Sequence, residues 1–268
     1  MALVNATDIE SFKTDGFVVL HDVLPLSTLE TLQQGVEKNL SFPSHWANDY
    51  TPENSSGRFF DDYVSWQRIS EFKESALHTV LPRIAGELMS TSSPRFFHEH
   101  VLVKEPGTAT ATPWHHDDPY YGIDGMDNVS IWIPLDPIPE SVALRFIVGS
   151  HLWNKRFIPR RFADQSVYVE DAVDFVSMPD QSEIDEMQSR TCPVGLGDAV
   201  AFHYRTLHSA PGTFGTEVHL RRAVSFRYVG DDAVFASRPW RTSPPLEGNG
   251  LSFGDQLNDP RFPIVATR

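Results

Sequence analysis

The chain is short of cysteine, of positive charge and of long apolar runs, and each shortage excludes something. A single cysteine, Cys192, stands in 268 residues, so no intrachain disulfide can hold the fold, and a reducing compartment fits. No stretch reaches the roughly 18 uncharged apolar residues of a membrane span. The opening MALVNATDIESFKTDG meets acidic residues before an apolar signal core can form, and the closing PIVATR carries neither a peroxisomal tripeptide nor a lipidation motif. The expectation is an unprocessed cytoplasmic protein. The formal net charge is −14. Nucleic acid and anionic membranes are therefore poor partners, since either needs a positive face. A small-molecule substrate is expected instead, with the chain working as a monomer or homodimer. One cationic stretch stands out: NKRFIPRRF holds Lys155, Arg156, Arg160 and Arg161. It reads either as a solvated loop balancing nearby acids or as a contact for an anionic substrate.

Repeats and low-complexity tracts are absent too, while 40% hydrophobic residues suffice for a substantial core. Barrels and sandwiches of this length usually form one domain, expected here over residues 1–268. Its parts are a helical layer over about 1–92, a β core over about 93–235 and a C-terminal coil over 236–268. Thr7-Asp8-Ile9-Glu10 and Ser27-Thr28-Leu29-Glu30 read as capping boxes that start two helices. The second helix carries Leu29, Leu32, Val36 and Leu40 as one apolar stripe. Between them the β-branched FVVLHDV, Phe17 to Val23, reads as a strand. A third helical stretch runs from about Ile69 to Met89 and should break at Pro82, which lacks a backbone donor.

From Arg95 the texture changes to short strands between turns: RFFHEHVLVK, NVSIWIPL, ALRFIV, DAVAFH and RAVSFRYVG. That spacing predicts an antiparallel barrel or sandwich. Ala223, Ser225 and Arg227 alternate with Val224, Phe226 and Tyr228, as in a sheet with two different faces. The insert over about 152–190 holds Asp164, Glu170, Asp171, Asp174, Asp180, Glu183, Asp185 and Glu186, and its length suggests a lid over a site. The tail from Ser237, rich in Pro and Gly, is expected to wrap the surface.

Two segments carry chemistry: PWHHDDPYY at Pro113 to Tyr121 and GDAVAFHYRTLHSAPG at Gly197 to Gly212. Two histidines and a carboxylate on one face of an iron ion leave the opposite positions open. On a strand, residues i and i+2 share a face, so His115-x-Asp117 and His116-x-Asp118 point opposite ways and only one pair can serve. A rival, cupin-type set is His98-x-His100 with Glu105 and His203, although His98 and His100 also read as one strand face inside the barrel.

KEPGTATATPWHHDDPYY, WIPLDPIP, LRFIVGSHLW, GDAVAFHYRTLHSAP and RRAVSFRYVGDD occur in an order that resembles the phytanoyl-CoA dioxygenase family, over about residues 95–235. A fainter echo lies in FKTDGFVVL, Phe12 to Leu20. The resemblance implies a mainly β fold with flanking helices, a double-stranded β-helix (jelly roll, cupin-like) with an N-terminal helical layer. It implies iron(II) with 2-oxoglutarate and O2 as co-substrates, ascorbate as a reductant, and oxidation of an aliphatic C–H bond with release of succinate and CO2. The family's Trp-His-x-Asp motif selects His115 and Asp117 through Trp114, and the GDAVAFHYRTLH block places the distal ligand at His208, not His203.

By the same resemblance Arg221, thirteen residues after His208, would anchor the far carboxylate of 2-oxoglutarate. Arg222 is the competitor, pointed away by strand alternation. Lys104 and Trp132 sit on strands that line the cavity in the family, and core packing or a snorkelling lysine is the other reading for each. Glu140-Ser141-Val142-Ala143-Leu144 replaces the family's Asn-Gly turn, so a different turn shape is expected. Asp117 retains the ligand carboxylate that halogenating relatives lose, so hydroxylation is expected. The net charge argues against a coenzyme A thioester. Its only dense candidate contact is the NKRFIPRRF cluster, joined by Arg238 and Arg241 if the tail folds back. A jelly roll that binds without catalysis is the remaining alternative.

Overall fold

The computed structural model describes residues 3–265 apart from 52, 54, 55, 163, 214–219 and 247–249. The chain ends used above to argue against targeting signals, residues 1–2 and 266–268, lie outside the described residues. From the N-terminus come α1 (Ala6–Asp15), β1 (Phe17–Leu20), α2 (Leu26–Ser41), β2 (Asn48–Asp49), β3 (Phe59–Tyr63), α3 (Ser70–His78) and α4 (Leu81–Met89). There follow β4 (Arg95–Lys104), β5 (Thr112–His115), β6 (Ile123–Asp124), β7 (Asn128–Pro134) and β8 (Leu144–Ile147). After α5 (Gln181–Asp185) come β9 (Ser189–Cys192), β10 (Ala199–Phe202), β11 (His208–Ala210), β12 (Arg221–Val229) and β13 (Val234–Phe235). No helix among the described residues is long and apolar enough to cross a membrane.

A seven-stranded antiparallel sheet, ordered β1-β10-β7-β12-β4-β3-β2, shares a core with a four-stranded sheet ordered β5-β11-β8-β9. Phe17, Trp132, Phe202 and Ala223 of the larger sheet pack with Leu144, Phe146 and Ala210 of the smaller. This is a double-stranded β-helix, or jelly roll. The alternation along β12 sets its layers: Val224, Phe226 and Tyr228 join Leu29, Leu32, Val36, Phe72 and Ile84 of the helices in one outer core. Ala223, Ser225 and Arg227 face the interior between the sheets.

Helix starts depart from the sequence reading. In α1 the cap is Asn5, whose side chain accepts from the amides of Thr7 (2.8 Å) and Asp8 (3.0 Å) while Asp8 answers the Asn5 amide, so the box is Asn5/Asp8. α2 opens after Pro25 with no side-chain cap, and Ser27 falls inside its first turn; the fixed φ of proline already sets the entry. The long helical stretch does break, at Thr79-Val80, leaving Pro82 in the first turn of α4 where a missing donor costs nothing.

The segment 1–92 is not purely helical, since it supplies β1, β2 and β3 to the larger sheet. FFDDY does not announce itself as a strand because it buries two aspartates, Asp61 and Asp62. Their partners are remote: Asn39 Nδ2 donates to Asp62 at 2.7 Å, and Asp61 pairs with His100 Nε2 at 2.9 Å. Nor does the tail merely wrap the surface, because Leu246, Leu257 and Phe262 are buried against Phe97, Tyr121 and Tyr204. Glu140–Val142 forms a 3-10 turn.

Gly16 closes α1 with φ 86°, and its carbonyl accepts from the His203 amide and the Thr206 hydroxyl, both at 2.8 Å. An added Cβ would overlap His151 Nδ1 and Thr206 Oγ1. Gly16→Ala is therefore expected to cost more than about 1 kcal/mol, combining left-handed strain with a clash. A lower urea midpoint at unchanged slope is the readout; an unchanged midpoint would show the junction to be pliant.

Candidate metal centre

His115 ends β5 and His208 begins β11, and these two residues are direct cross-strand partners. The pairing brings their rings to 4.2 Å between centroids. Asp117 does not come from the strand face. β5 stops at His115, and Asp117 lies in helical backbone (φ −73°, ψ −33°) leading into the turn Asp118–Tyr120. The bend is pinned because the Asp117 and Asp118 amides both donate to the Tyr204 carbonyl, at 2.7 and 3.0 Å. Asp117 Oδ1 then sits 3.6 Å from His115 Nε2 and 3.8 Å from His208 Nε2. Among the described residues, these three form the one group whose donor atoms, all within 4.8 Å of one another, suit a metal ion.

The hydrogen bonds around this trio decide which atoms are free to face a metal ion. His115 Nδ1 lies 2.8 Å from the Pro113 carbonyl and His208 Nδ1 2.9 Å from the Thr206 carbonyl. A carbonyl only accepts, so each Nδ1 carries the proton and each Nε2 presents a lone pair. Asp117 Oδ2 accepts from Ser130 Oγ (3.2 Å) and Arg227 Nη2 (3.4 Å), which leaves Oδ1 for the centre. Burial, aided by the neighbouring His208, pushes the His115 imidazole down to about 3. Burial alone would raise the Asp117 carboxyl, but Arg227 and the two imidazoles outweigh it and hold it below the usual carboxylate range. Two neutral imidazoles and one carboxylate are a donor set that suits divalent iron and leaves further coordination positions open.

His116 and Asp118 turn the other way. His116 Nε2 accepts from the Phe157 amide at 3.0 Å. Asp118 takes Arg156 Nε at 2.7 Å and Arg205 Nε at 3.0 Å. The rival set stays dispersed: His98 and His100 line the central cavity, Glu105 is exposed, and His203 binds the Met126 carbonyl at 2.9 Å.

Burial keeps several of these histidines neutral in the fold, with His115 and His203 at about 3 and His116 at about 4. Each folded value is below the unfolded one of about 6.5, so between those limits the unfolded chain binds more protons and folding weakens as pH falls. The metal-free protein is expected to be fully supported by these groups above about pH 6.5. Below it, stability should fall by up to about 1.4 kcal/mol per pH unit for each neutral histidine. Urea midpoints at neutral and mildly acid pH test this; a flat profile would contradict the buried neutral state.

The trio opens into a cavity of about 520 Å³. At one end Arg221 and Lys104 are cross-strand partners on the same face. Arg221 Nη1 donates to the Val142 carbonyl at 2.6 Å, and Lys104 Nζ to Thr112 Oγ1 at 3.0 Å. Both are buried, and among the described residues neither has a carboxylate within ion-pair distance. Burial and then the Arg221 charge push the Lys104 amine well down. Arg222 faces outward to a two-pronged pair with Asp136 at 2.8 and 3.1 Å. Trp132 of β7, the cross-strand partner of Ser225 on β12, forms part of the cavity wall.

The remaining wall was only partly legible. Arg227 follows Arg221 by six residues on the same strand face, so alternation could have found it, whereas Ser130 gave no signal. From the insert, Arg160, Arg161, Phe162 and Tyr168 line the cavity, while the eight acids of that insert named from the sequence are all exposed. The segment over the site is thus basic and aromatic, not acidic. The tail does fold back, bringing Arg241, Thr242 and Ser243 to the lining.

No curated protein sequence is significantly similar to this chain. Among solved structures, the non-heme alpha ketoglutarate dependent carbocyclase SnoK from nogalamycin biosynthesis is 22% identical with a TM-score of 0.75, covering 98% of this chain and 97% of its own. The epimerase SnoN in complex with Fe3+, alpha ketoglutarate and nogalamycin RO is 22% identical with a TM-score of 0.73, covering 98% of each chain. EctD from S. alaskensis, in its apoform, is 16% identical with a TM-score of 0.71, covering 95% and 88%. At these identities the likeness establishes the fold. The phytanoyl-CoA dioxygenase (PhyH) family model matches residues 12–218, most of the chain, and the chain belongs to that family.

Proposed function

We propose that this chain is an iron(II)- and 2-oxoglutarate-dependent dioxygenase that hydroxylates an aliphatic C–H bond of a small-molecule metabolite. The observation that carries this reading is one cavity holding both a two-histidine, one-carboxylate trio and a buried Arg221–Lys104 couple with no carboxylate at ion-pair distance among the described residues. A buried guanidinium beside an amine, with no counter-ion among the described residues, is costly unless an anion joins them. A dicarboxylate with one end on the metal and the other on Arg221, Lys104 and Thr112 fits that need. The SnoN crystal, with Fe3+ and alpha ketoglutarate on the same fold, supports the pairing.

His115, Asp117 and His208 would hold the iron through two Nε2 atoms and one Oδ1, with Ser130 and Arg227 fixing the other carboxylate oxygen. Iron with bound 2-oxoglutarate supplies oxygen activation and hydrogen abstraction, 2-oxoglutarate leaving as succinate and CO2 and ascorbate serving as a reductant. The protein supplies geometry: Phe146 and Phe202 pack on His208, Phe162 packs on His115, and these rings keep water from the reacting face. Because Asp117 is present, no ligand position is vacated for halide, and hydroxylation is the outcome proposed over halogenation. The helical layer, the jelly roll and the tail all reach the cavity, so the whole chain acts as one catalytic unit.

The test is anaerobic titration of the iron-loaded protein with 2-oxoglutarate, followed by succinate formation in air. A visible charge-transfer band on titration and succinate production stimulated by a substrate are expected. Iron binding that 2-oxoglutarate does not perturb would end this reading in favour of a metal-binding or non-catalytic jelly roll.

A further inference from the structure

The cavity is cationic in an acidic protein. Among the described residues lining it are six cationic side chains and two carboxylates, against a net charge of −14 for the chain. Lys104 and Arg221 answer to the co-substrate and Arg227 to Asp117, so three arginines are left over: Arg160, Arg161 and Arg241. Of the two carboxylates, Asp117 belongs to the metal trio. Asp61 is taken up by His100 Nε2 at 2.9 Å, Asn48 Nδ2 at 3.0 Å and Tyr50 OH at 3.3 Å. Iron(II) and doubly charged 2-oxoglutarate cancel one another, and a neutral Lys104 would still leave the surplus.

The three remaining arginines sit at the mouth. Arg161 and Arg241 are exposed, and Arg160 is half-buried with its Nε enclosed and unpartnered. Among the described residues no carboxylate lies within ion-pair distance of any of them, Asp164 approaching Arg161 without reaching it. Two pack on rings, the Arg161 guanidinium 4.8 Å from the Tyr168 centroid and that of Arg241 4.9 Å from Trp46, and Arg161 Nη1 also donates to Ser166 Oγ and the Val167 carbonyl, both at 3.1 Å, leaving its Nη2 and Nε to a ligand. Arg160 is fixed through its backbone, its carbonyl accepting from Tyr120 OH at 2.7 Å. Between this rim and the metal trio the wall is aromatic, with Phe162 at 4.9 Å and Tyr120 at 5.9 Å from the His115 ring.

Building on the oxygenase reading above, we infer that the prime substrate is a small ring-bearing acid. Its anionic group is received by Arg160, Arg161 and Arg241, its ring lies against Phe162 and Tyr120, and its reacting C–H points at the metal trio. A guanidinium fork accepts a carboxylate or a phosphate equally well through paired charge-assisted bonds, and the cavity focuses the field that draws the anion in.

The experiment uses the iron(II)-loaded protein under nitrogen with N-oxalylglycine, an unreactive 2-oxoglutarate analogue, filling the Arg221 end. Calorimetry then compares cinnamate with cinnamamide, indole-3-acetate with indole-3-acetamide, and phenyl phosphate, which separates phosphate from carboxylate as the preferred group. Each acid is expected to bind about tenfold or more tighter than its amide, the worth of one charge-assisted contact. The preference should shrink with added salt in the wild type and fall severalfold in the Arg161→Gln/Arg241→Gln double variant, where Arg160 alone remains. The salt series reads the same contact without any substitution. Amides binding as tightly as acids, a preference undiminished in the double variant, or binding of an acyl-CoA but none of the small acids would each overturn the inference. Failure of the oxygenase reading shows separately, as N-oxalylglycine that does not bind, and the acid-over-amide ratio and its fall in the double variant are still read.

Discussion

Iron content is expected to fall from about one per chain to near zero in His115→Ala, Asp117→Ala and His208→Ala, while His116→Ala keeps its iron. Each of the first three removes a donor from a centre with only three protein ligands, so the loss should exceed that from a supporting contact. Ser130→Ala, which frees Asp117 Oδ2 on one side, is expected to weaken iron binding by about ten- to a hundredfold. His116 is buried and bonded to the Phe157 amide, so its removal affects folding more than metal. Asp118→Asn is a poor control, because it would leave Arg205 without its carboxylate and Arg156 with Asp124 alone, at a cost of up to about 3–5 kcal/mol. Metal analysis on protein checked for native circular dichroism decides the matter. Iron retained in His115→Ala and lost in His116→Ala would reverse the register.

That register was readable because Trp114 precedes His115 in a recognisable motif, yet the geometric reason offered for it was incomplete. Strand alternation does send His116 away from His115, but Asp117 reaches the centre through a bend fixed by Tyr204, a residue remote in sequence. β12 was legible throughout, because a regular central strand obeys the two-residue period and so separates Arg221 from Arg222. β3 was not, because its aspartates are buried on the strength of Asn39 and His100, and no local pattern encodes a distant partner. The insert misled through composition. Its many acids mark the solvated part, while the few residues over the cavity are arginine and aromatic. Capping went astray by two residues at both α1 and α2, since Asn5 and Pro25 compete with the hydroxyls that follow them.

Arg221→Ala is expected to cost about 2–5 kcal/mol in 2-oxoglutarate binding, roughly thirtyfold to several thousandfold in apparent affinity. The guanidinium is buried, its one hydrogen bond among the described residues goes to the Val142 carbonyl, and burial lowers its pKa to about 10, still far above neutrality. It therefore stays charged and waits for an anion. Lys104→Met should cost less, because burial beside Arg221 already disfavours the charged amine. Arg222→Ala should leave co-substrate affinity alone, since Arg222 spends its charge on Asp136 outside the cavity. The loss in Arg221→Ala is separable from unfolding: Arg221 has no carboxylate partner among the described residues, so its removal strands no buried charge, and the metal-free variant should remain folded. The wild type should melt higher with added 2-oxoglutarate and iron, in proportion to the logarithm of ligand over Kd, and the variant should not. An Arg221→Ala protein that keeps both its 2-oxoglutarate KM and its ligand-induced rise in Tm would show that the dicarboxylate is held elsewhere.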